Sequence, residues 1–351
     1  MRTSTLPAAA LVVVALTACS DDSGSFDPVS PAAAEPPALA SKHLGPGRAE
    51  SILPLTPLTD MPEGIAVNAQ GDIFLGNGRL DGDHRVGEIL RITPSHRVSV
   101  FATIGRTGPD FNEGLAGLVV DPSGDIYAAF ISHDPRTHGV YRIGRHGGVA
   151  RLPGSEAIHL PDALAFDARG NLYVTDAEAG AVWRFTPAGQ GTRWIQHPLL
   201  EPRVIGIGAN GIAFVPPATL YVNNTEQNLI VRITIRTDGR PGKPSVAAAD
   251  PLLQIIDGLA ADAHGDLYAA VVGFSVVGTA PIVRVDPRTG RVMPVSTDGS
   301  SFDWPTSLAF GRGPLDHKSL FVANSGIFEG PRDAVPGVVQ LGVGVPGAPL
   351  H

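Results

Sequence analysis

Cysteine is almost missing from this chain: Cys19 stands alone in 351 residues. One thiol excludes an internal disulfide framework and a dithiol redox pair. Charge is sparse too, with 17% Asp, Glu, Lys and Arg, and no Lys/Arg cluster anywhere. At a formal net charge of -8 that leaves no surface to track phosphates, so no nucleic-acid partner is expected. Beyond the N-terminus no long stretch repeats with the helical period. The G-x-S-x-G elbow, the G-x-x-x-x-G-K-[ST] loop and the H-E-x-x-H helix are likewise missing. What is plentiful is glycine (42), proline (32) and apolar residues (43%). That mixture suits many short strands joined by tight turns around a large core, an all-β chain.

The only long apolar run lies at the N-terminus. Arg2 supplies a positive start, "PAAALVVVAL" an apolar stretch too short to span a bilayer, and "LTAC" a small-residue end. This is an export signal over residues 1–19. Leu16-Thr17-Ala18-Cys19 resembles the lipobox of bacterial lipoproteins, which makes Cys19 the lipidated first residue of the mature chain. The alternative is a plain secretory peptide cleaved nearby. The expected location is the bacterial cell envelope, with the membrane met through a lipid anchor alone. Residues 20–50, rich in Ser, Pro, Ala and Gly, hold too few large apolar groups to offset their own ordering and read as a flexible tether.

Residues 51–351 are organised by a repeat. The copies are "EGIAVNAQGDIFLGN" from Glu63, "AGLVVDPSGDIYAAF" from Ala116, "DALAFDARGNLYVTD" from Asp162, "NGIAFVPPATLYVNN" from Asn210, "DGLAADAHGDLYAAV" from Asp257 and "TSLAFGRGPLDHKSLFVAN" from Thr306. Their starts fall 53, 46, 48, 47 and 49 residues apart. Each copy is strand, turn, strand, and two further strands such as "GEILRITP" and "RVSVFA" follow most copies. The pattern predicts a six-bladed β-propeller with four-stranded blades. The last copy has one clear outer strand, "GVVQLGVGV", so "SILPLTPL" near residue 51 is expected to complete that sheet and close the ring. Aromatic residues follow the strand period and read as packing between blades.

In a propeller all first strands run the same way, so the residues that open them meet at one mouth. That ring reads Glu63, Ala116, Asp162, Asn210, Asp257 and Thr306. Converging carboxylates repel one another unless protons or a cation compensate them. Their chemistry suits a hard divalent ion: Ca²⁺ first, with Mg²⁺, Mn²⁺ or Zn²⁺ also compatible. The bland reading of each doublet is a turn device, because Asp or Asn before Gly bonds nearby backbone.

The "EG", "NG" and "DG" doublets ahead of "IA" or "LA", with "G[DN][IL][YF]" following, carry a family likeness. Residues 51–345 resemble the SMP-30/gluconolactonase/LRE group of six-bladed propellers and, more widely, proteins with NHL-type repeats. The resemblance implies a metal-dependent lactonase, a hydrolase acting on a small lactone or sugar derivative. It implies Glu63, Asn210 and Asp257 as metal ligands and Asp257 also as the general base. Asp162 stands where relatives often carry an Asn touching metal or substrate. Blade two departs further: Ala116 fills the ring, and Asn112 and Glu113 are displaced onto the incoming loop.

Loops after the second strands are expected on the same face, where His133, Asp176, Asn224 and Asn324 join Asn112 and Glu113 of the incoming loop in a substrate-facing shell. His133 and His159 are the histidines placed nearest the mouth, and an imidazole there is a candidate base. Two rivals remain open: a non-catalytic propeller binding a small molecule or partner protein, and a lyase similar to the streptogramin-inactivating propellers, which needs a histidine over the mouth. "GDHR" and "HDPRTH" lack metal-ligand spacing and read as solvated loops.

Overall fold

The computed structural model describes residues 42–57, 60–95, 97–108, 113–274, 279–296, 299–327 and 335–351, all within the compact unit Pro37–His351. Cys19, the export signal and most of the expected tether therefore lie outside the described residues.

Among the described residues twenty-four strands form six antiparallel sheets of four. The innermost strands are β2 (Pro62–Val67), β6 (Gly114–Val120), β10 (Pro161–Phe166), β14 (Ala209–Val215), β18 (Ile256–Ala261) and β22 (Pro305–Phe310). Each touches the next, and β22 touches β2, so the ring is closed around a central channel. The first five blades use consecutive strands; the sixth runs β22, β23 (Ser319–Asn324), β24 (Gly337–Gly342) and then β1 (Ala49–Pro54). The expected closure is thus present. Contacts reach back ahead of β1: Leu44 is buried, Gly47 N donates to Gly342 O (2.9 Å), and Gln340 Nε2 donates to Lys42 O (2.9 Å).

One hairpin design joins the first two strands of four blades. Asn68, Asp121, Asp167 and Asp262 each accept with Oδ1 the N–H groups two and four residues on, at 2.8–3.0 Å. This is the side-chain-closed turn that Asx residues favour. The residue four on, Asp72, Asp125, Asn171 or Asp266, then takes an arginine from the third strand: Arg91, Arg142, Arg184 or Arg284. Aromatic rings bridge blades where Tyr127 meets Phe166 (5.0 Å) and Tyr268 meets Phe310 (5.5 Å); Tyr173–Trp194 packs within a blade.

Every innermost strand carries the same irregularity. Its pairing slips between Pro62 and Ile65, Leu115 and Leu118, Pro161 and Leu164, Ala209 and Ile212, Ile256 and Leu259, and Pro305 and Leu308. These six bulges enclose the six ring positions. A bulge leaves a residue unpaired and re-aims its side chain, so the repeat doublets are not turns.

The end of the channel away from the ring is capped by the final residues. Ala348 N donates to Ala261 O (3.0 Å), Arg312 Nη2 donates to Ala348 O (2.6 Å), and the His351 ring stands edge-on to Phe214 at 5.0 Å. Between this cap and the ring lies an apolar chamber of about 180 Å³.

Candidate functional site

The doublet glycines show how the ring is held. A Cβ on Gly64 would stand 2.2 Å from Ala116 O, on Gly117 2.6 Å from Asp162 O, on Gly211 2.2 Å from Asp257 O, and on Gly258 2.5 Å from Thr306 O. Each glycine lets the next blade's ring residue press its backbone into the bulge. Blades three and six carry Ala163 and Ser307 there instead. Asn223 strengthens one seam, accepting from Gly211 N (3.1 Å) and donating to the Asp257 carbonyl. Thr306 Oγ1 donates to Glu63 O at 2.8 Å, so the sixth ring position ties the last blade to the first.

Glu63, Asp162, Asn210 and Asp257 line one cavity of about 430 Å³ at the mouth. The three carboxylates are half-buried, open to the cavity and enclosed by protein elsewhere. Burial and then the Asp162 charge push the Glu63 carboxyl up to about 8. Burial pushes Asp162 up to about 7. Asp257 is raised well above the usual carboxylate range by burial, then by the Glu63 and Asp162 charges, against a hydrogen bond from Asn210. Glu63 and Asp257, nearly 200 positions apart in sequence, are thus near enough for the charge of one to raise the other. Asn210 is buried, and its Oδ1 has no hydrogen-bond partner. Buried polar atoms are seldom left so.

That unpartnered oxygen beside three carboxylates fits a hard divalent cation, which takes carboxylate and amide oxygens. Among the described residues no three His, Cys, Asp or Glu side chains are already gathered as a metal cage. The ring supplies the donor types without being drawn tight around an ion.

The outer shell differs from the sequence expectation. Asn112 lies outside the described residues. Glu113 lines the cavity, but it is 5% exposed and its carboxylate is spent on loop backbone, accepting from Gly108 N (2.9 Å) and His133 N (2.6 Å). The His133 side chain is 79% exposed, with Nδ1 3.3 Å from Glu113, and is not among the cavity residues. Asp176, Asn224 and Asn324 are corrections. All three are buried, at the same place in their blades, and bond the loop that leads into the inner strand. Asp176 accepts from His159 N and Leu160 N, Asn224 Nδ2 donates to Leu199 O and Glu201 O, and Asn324 accepts from Asp303 N and donates to Val335 O. Asn77 does the same in blade one with Asp60 and Met61. These side chains hold the mouth's shape and do not face it. His159 meets that shell through its backbone N–H, which donates to Asp176.

Several cavity residues escaped the sequence reading: Met61, Leu160, Glu178, Ile205, Ile207 and Trp304. Trp304 has φ 58°, a left-handed conformation uncommon for a bulky residue. Their signal was available for three of them: Met61, Leu160 and Trp304 each stand two residues before a ring position.

The fold and this ring define a six-bladed propeller whose mouth gathers acidic and amide oxygens. Residues 203–325, which hold Asn210 and Asp257, match the SMP-30/Gluconolactonase/LRE-like region. The chain is thus a six-bladed propeller bearing an SMP-30/gluconolactonase/LRE-like region. A 6-deoxy-6-sulfogluconolactonase of Pseudomonas putida is 26% identical over 168 residues, 46% of this chain and 53% of that protein, so the match spans about half the length of that relative. A gluconolactonase from Xanthomonas campestris superposes with a TM-score of 0.59 at 20% identity, covering 90% of this chain and 97% of the other. A calcium-binding regucalcin from Agrobacterium tumefaciens gives 0.57 at 18% identity, covering 83% and 96%. At these identities the structural likenesses establish the fold.

Proposed function

We propose that the protein is a divalent-metal-dependent hydrolase of small lactones, working at the propeller mouth with calcium as the preferred ion. The carrying observation is the buried, unpartnered Asn210 Oδ1 set among three carboxylates that burial, and for Glu63 and Asp257 the neighbouring acids as well, push above their ordinary range. Glu63, Asn210, Asp257 and Asp162 are the residues that would hold the ion. When bound, such an ion supplies Lewis acidity toward a carbonyl oxygen. The chain's own contribution is a proton acceptor. The Asp257 carboxylate, made more basic by its surroundings, takes a proton from water as the water oxygen bonds to the lactone carbonyl carbon. It returns that proton to the ring oxygen as the acyl C–O bond breaks, leaving a hydroxy acid.

The test measures metal content of the purified full chain and hydrolysis of aldonolactones and alkyl lactones by pH-stat, with and without chelator. Bound calcium, loss of turnover on chelation, and a fall of about 10² to 10⁴ in Asp257→Asn support the proposal. Turnover indifferent to both treatments overturns it. The lyase alternative gains no support, since among the described residues no histidine lines the cavity.

We further propose export and attachment to the cell envelope through Cys19. Cys19→Ser should then abolish incorporation of labelled fatty acid and release the protein from the membrane fraction. A variant that stays membrane-bound and labelled would refute it.

A further inference from the structure

Two residues ahead of the ring runs a second circle: Met61, Gly114, Leu160, Gly208, Ile255 and Trp304. Five of these six immediately precede an inner strand and Gly114 opens one, so the circle stands at the strand entries, ahead of the acidic ring. Met61, Leu160 and Trp304 line the cavity. Blade four has only Gly208 at this level, and there the preceding loop supplies the wall: Ile205 and Ile207 face the same cavity. Val204 is 89% exposed and Ile205 52%.

This loop is held rigidly. One carboxylate, Glu226, accepts backbone N–H groups from Arg203 (2.8 Å), Val204 (2.5 Å), Ile205 (3.0 Å) and Ile207 (2.9 Å). Gln227 Nε2 adds bonds to Pro198 O and Glu201 O, both at 2.9 Å. Burial pushes the Glu226 carboxyl up, yet those four donors outweigh it and leave it below its ordinary value. Four N–H groups spent on holding apolar side chains out at the rim make their exposure a built feature. Exposed apolar side chains held at the rim of a cavity point to a binding face.

We propose that this upper wall is an alkyl subsite, and that the molecule taken at the mouth is a neutral lactone bearing an aliphatic chain. The inference rests on the hydrolytic reading above and narrows its substrate class. The lactone carbonyl sits at the Glu63–Asp162–Asn210–Asp257 ring, and the chain rises against Met61, Leu160, Ile205, Ile207 and Trp304. Among the described residues no Lys, Arg or His lines the cavity, while Glu113 and Glu178 stand on its wall. A sulfonate, phosphate or carboxylate carried on the part of the substrate that meets this wall, away from the ring, faces those two acids and, among the described residues, no cationic side chain. A polyhydroxylated ring would set its hydroxyls against apolar side chains, stripping them of water without return. Glu226 is a positioning residue: it acts through the loop.

The experiment uses the full chain with calcium and compares δ-decalactone with δ-gluconolactone as wild type, as Ile205→Ser/Ile207→Ser and as Glu226→Ala. Thermal melts check that each variant folds. The expected result is a higher kcat/KM for decalactone in the wild type. The double variant should lose about tenfold or more on decalactone through KM, with gluconolactone little changed. Glu226→Ala should follow the same KM pattern with kcat retained. A wild type that prefers gluconolactone, or a double variant with unaltered selectivity, overturns the subsite. Should the wild type hydrolyse neither lactone, the hydrolytic reading falls. Calorimetric titration of decalactone then decides the subsite separately: saturable binding weakened by the double variant upholds it, and no binding overturns it. Binding to phosphatidylcholine vesicles that is lost in Val204→Ser/Ile205→Ser, with lactone selectivity unchanged, would assign the loop to a membrane instead and also overturn it.

Discussion

A carboxylate is ordinarily ionised at neutral pH, and Glu63, Asp162 and Asp257 depart from this because each loses solvent where the others stand close. The stability consequence has a definite sign. Glu63 moves from 4.5 to about 8 and Asp162 from 3.8 to about 7 on folding, so between pH 4 and 8 the metal-free folded state holds more protons than the unfolded chain. Stability then falls as pH rises through that window. The melting temperature of chelated protein should drop between pH 5 and 8, and calcium at pH 8 should restore it; a flat profile would contradict the arrangement. Thr306→Val should cost about 1–3 kcal/mol by leaving the Glu63 carbonyl without its donor, measured by urea titration. Glu63, Asp162, Asn210 and Asp257 were legible because the repeat aligns them by count alone. Asp176, Asn224 and Asn324 were not. An Asn or Asp at a strand end either faces the mouth or bonds its own loop, and the choice depends on side-chain direction, which the alphabet does not record.

Strands and hairpins followed directly from the repeat. The Asx residue, the glycine and the acid or amide after it specify the turn, and the third-strand arginine completes it. The bulges were hidden, because a slip in pairing changes no residue type. They explain the doublet glycines better than turn propensity does, since the limiting contact is a carbonyl from the next blade. Gly211→Ala or Gly64→Ala should lower the melting temperature by several degrees and weaken metal binding together, as the seam and ring move apart. Gly148→Ala, with open space at its Cβ and no positive φ, should change stability by no more than about 0.5 kcal/mol. Equal effects at all three positions would argue against a role for the seams.

At the scale of the whole molecule the ring depends on a strand from its own beginning. Deleting residues through Pro54 removes β1 and bares the backbone edge of β24. The truncated protein should aggregate or unfold with lost cooperativity, as seen by light scattering and calorimetry; a soluble monomer with an unchanged melt would show that the sixth sheet is complete without it. Strand direction settles one thing more. The inner strands begin at the mouth, and alternation across the sixth sheet makes β1 run toward it, which places residues 42–48 on the opposite face beside the capped end. A bulky label attached at Lys42 would accordingly stand on the far side from the bowl, leaving the way in for passing solutes open.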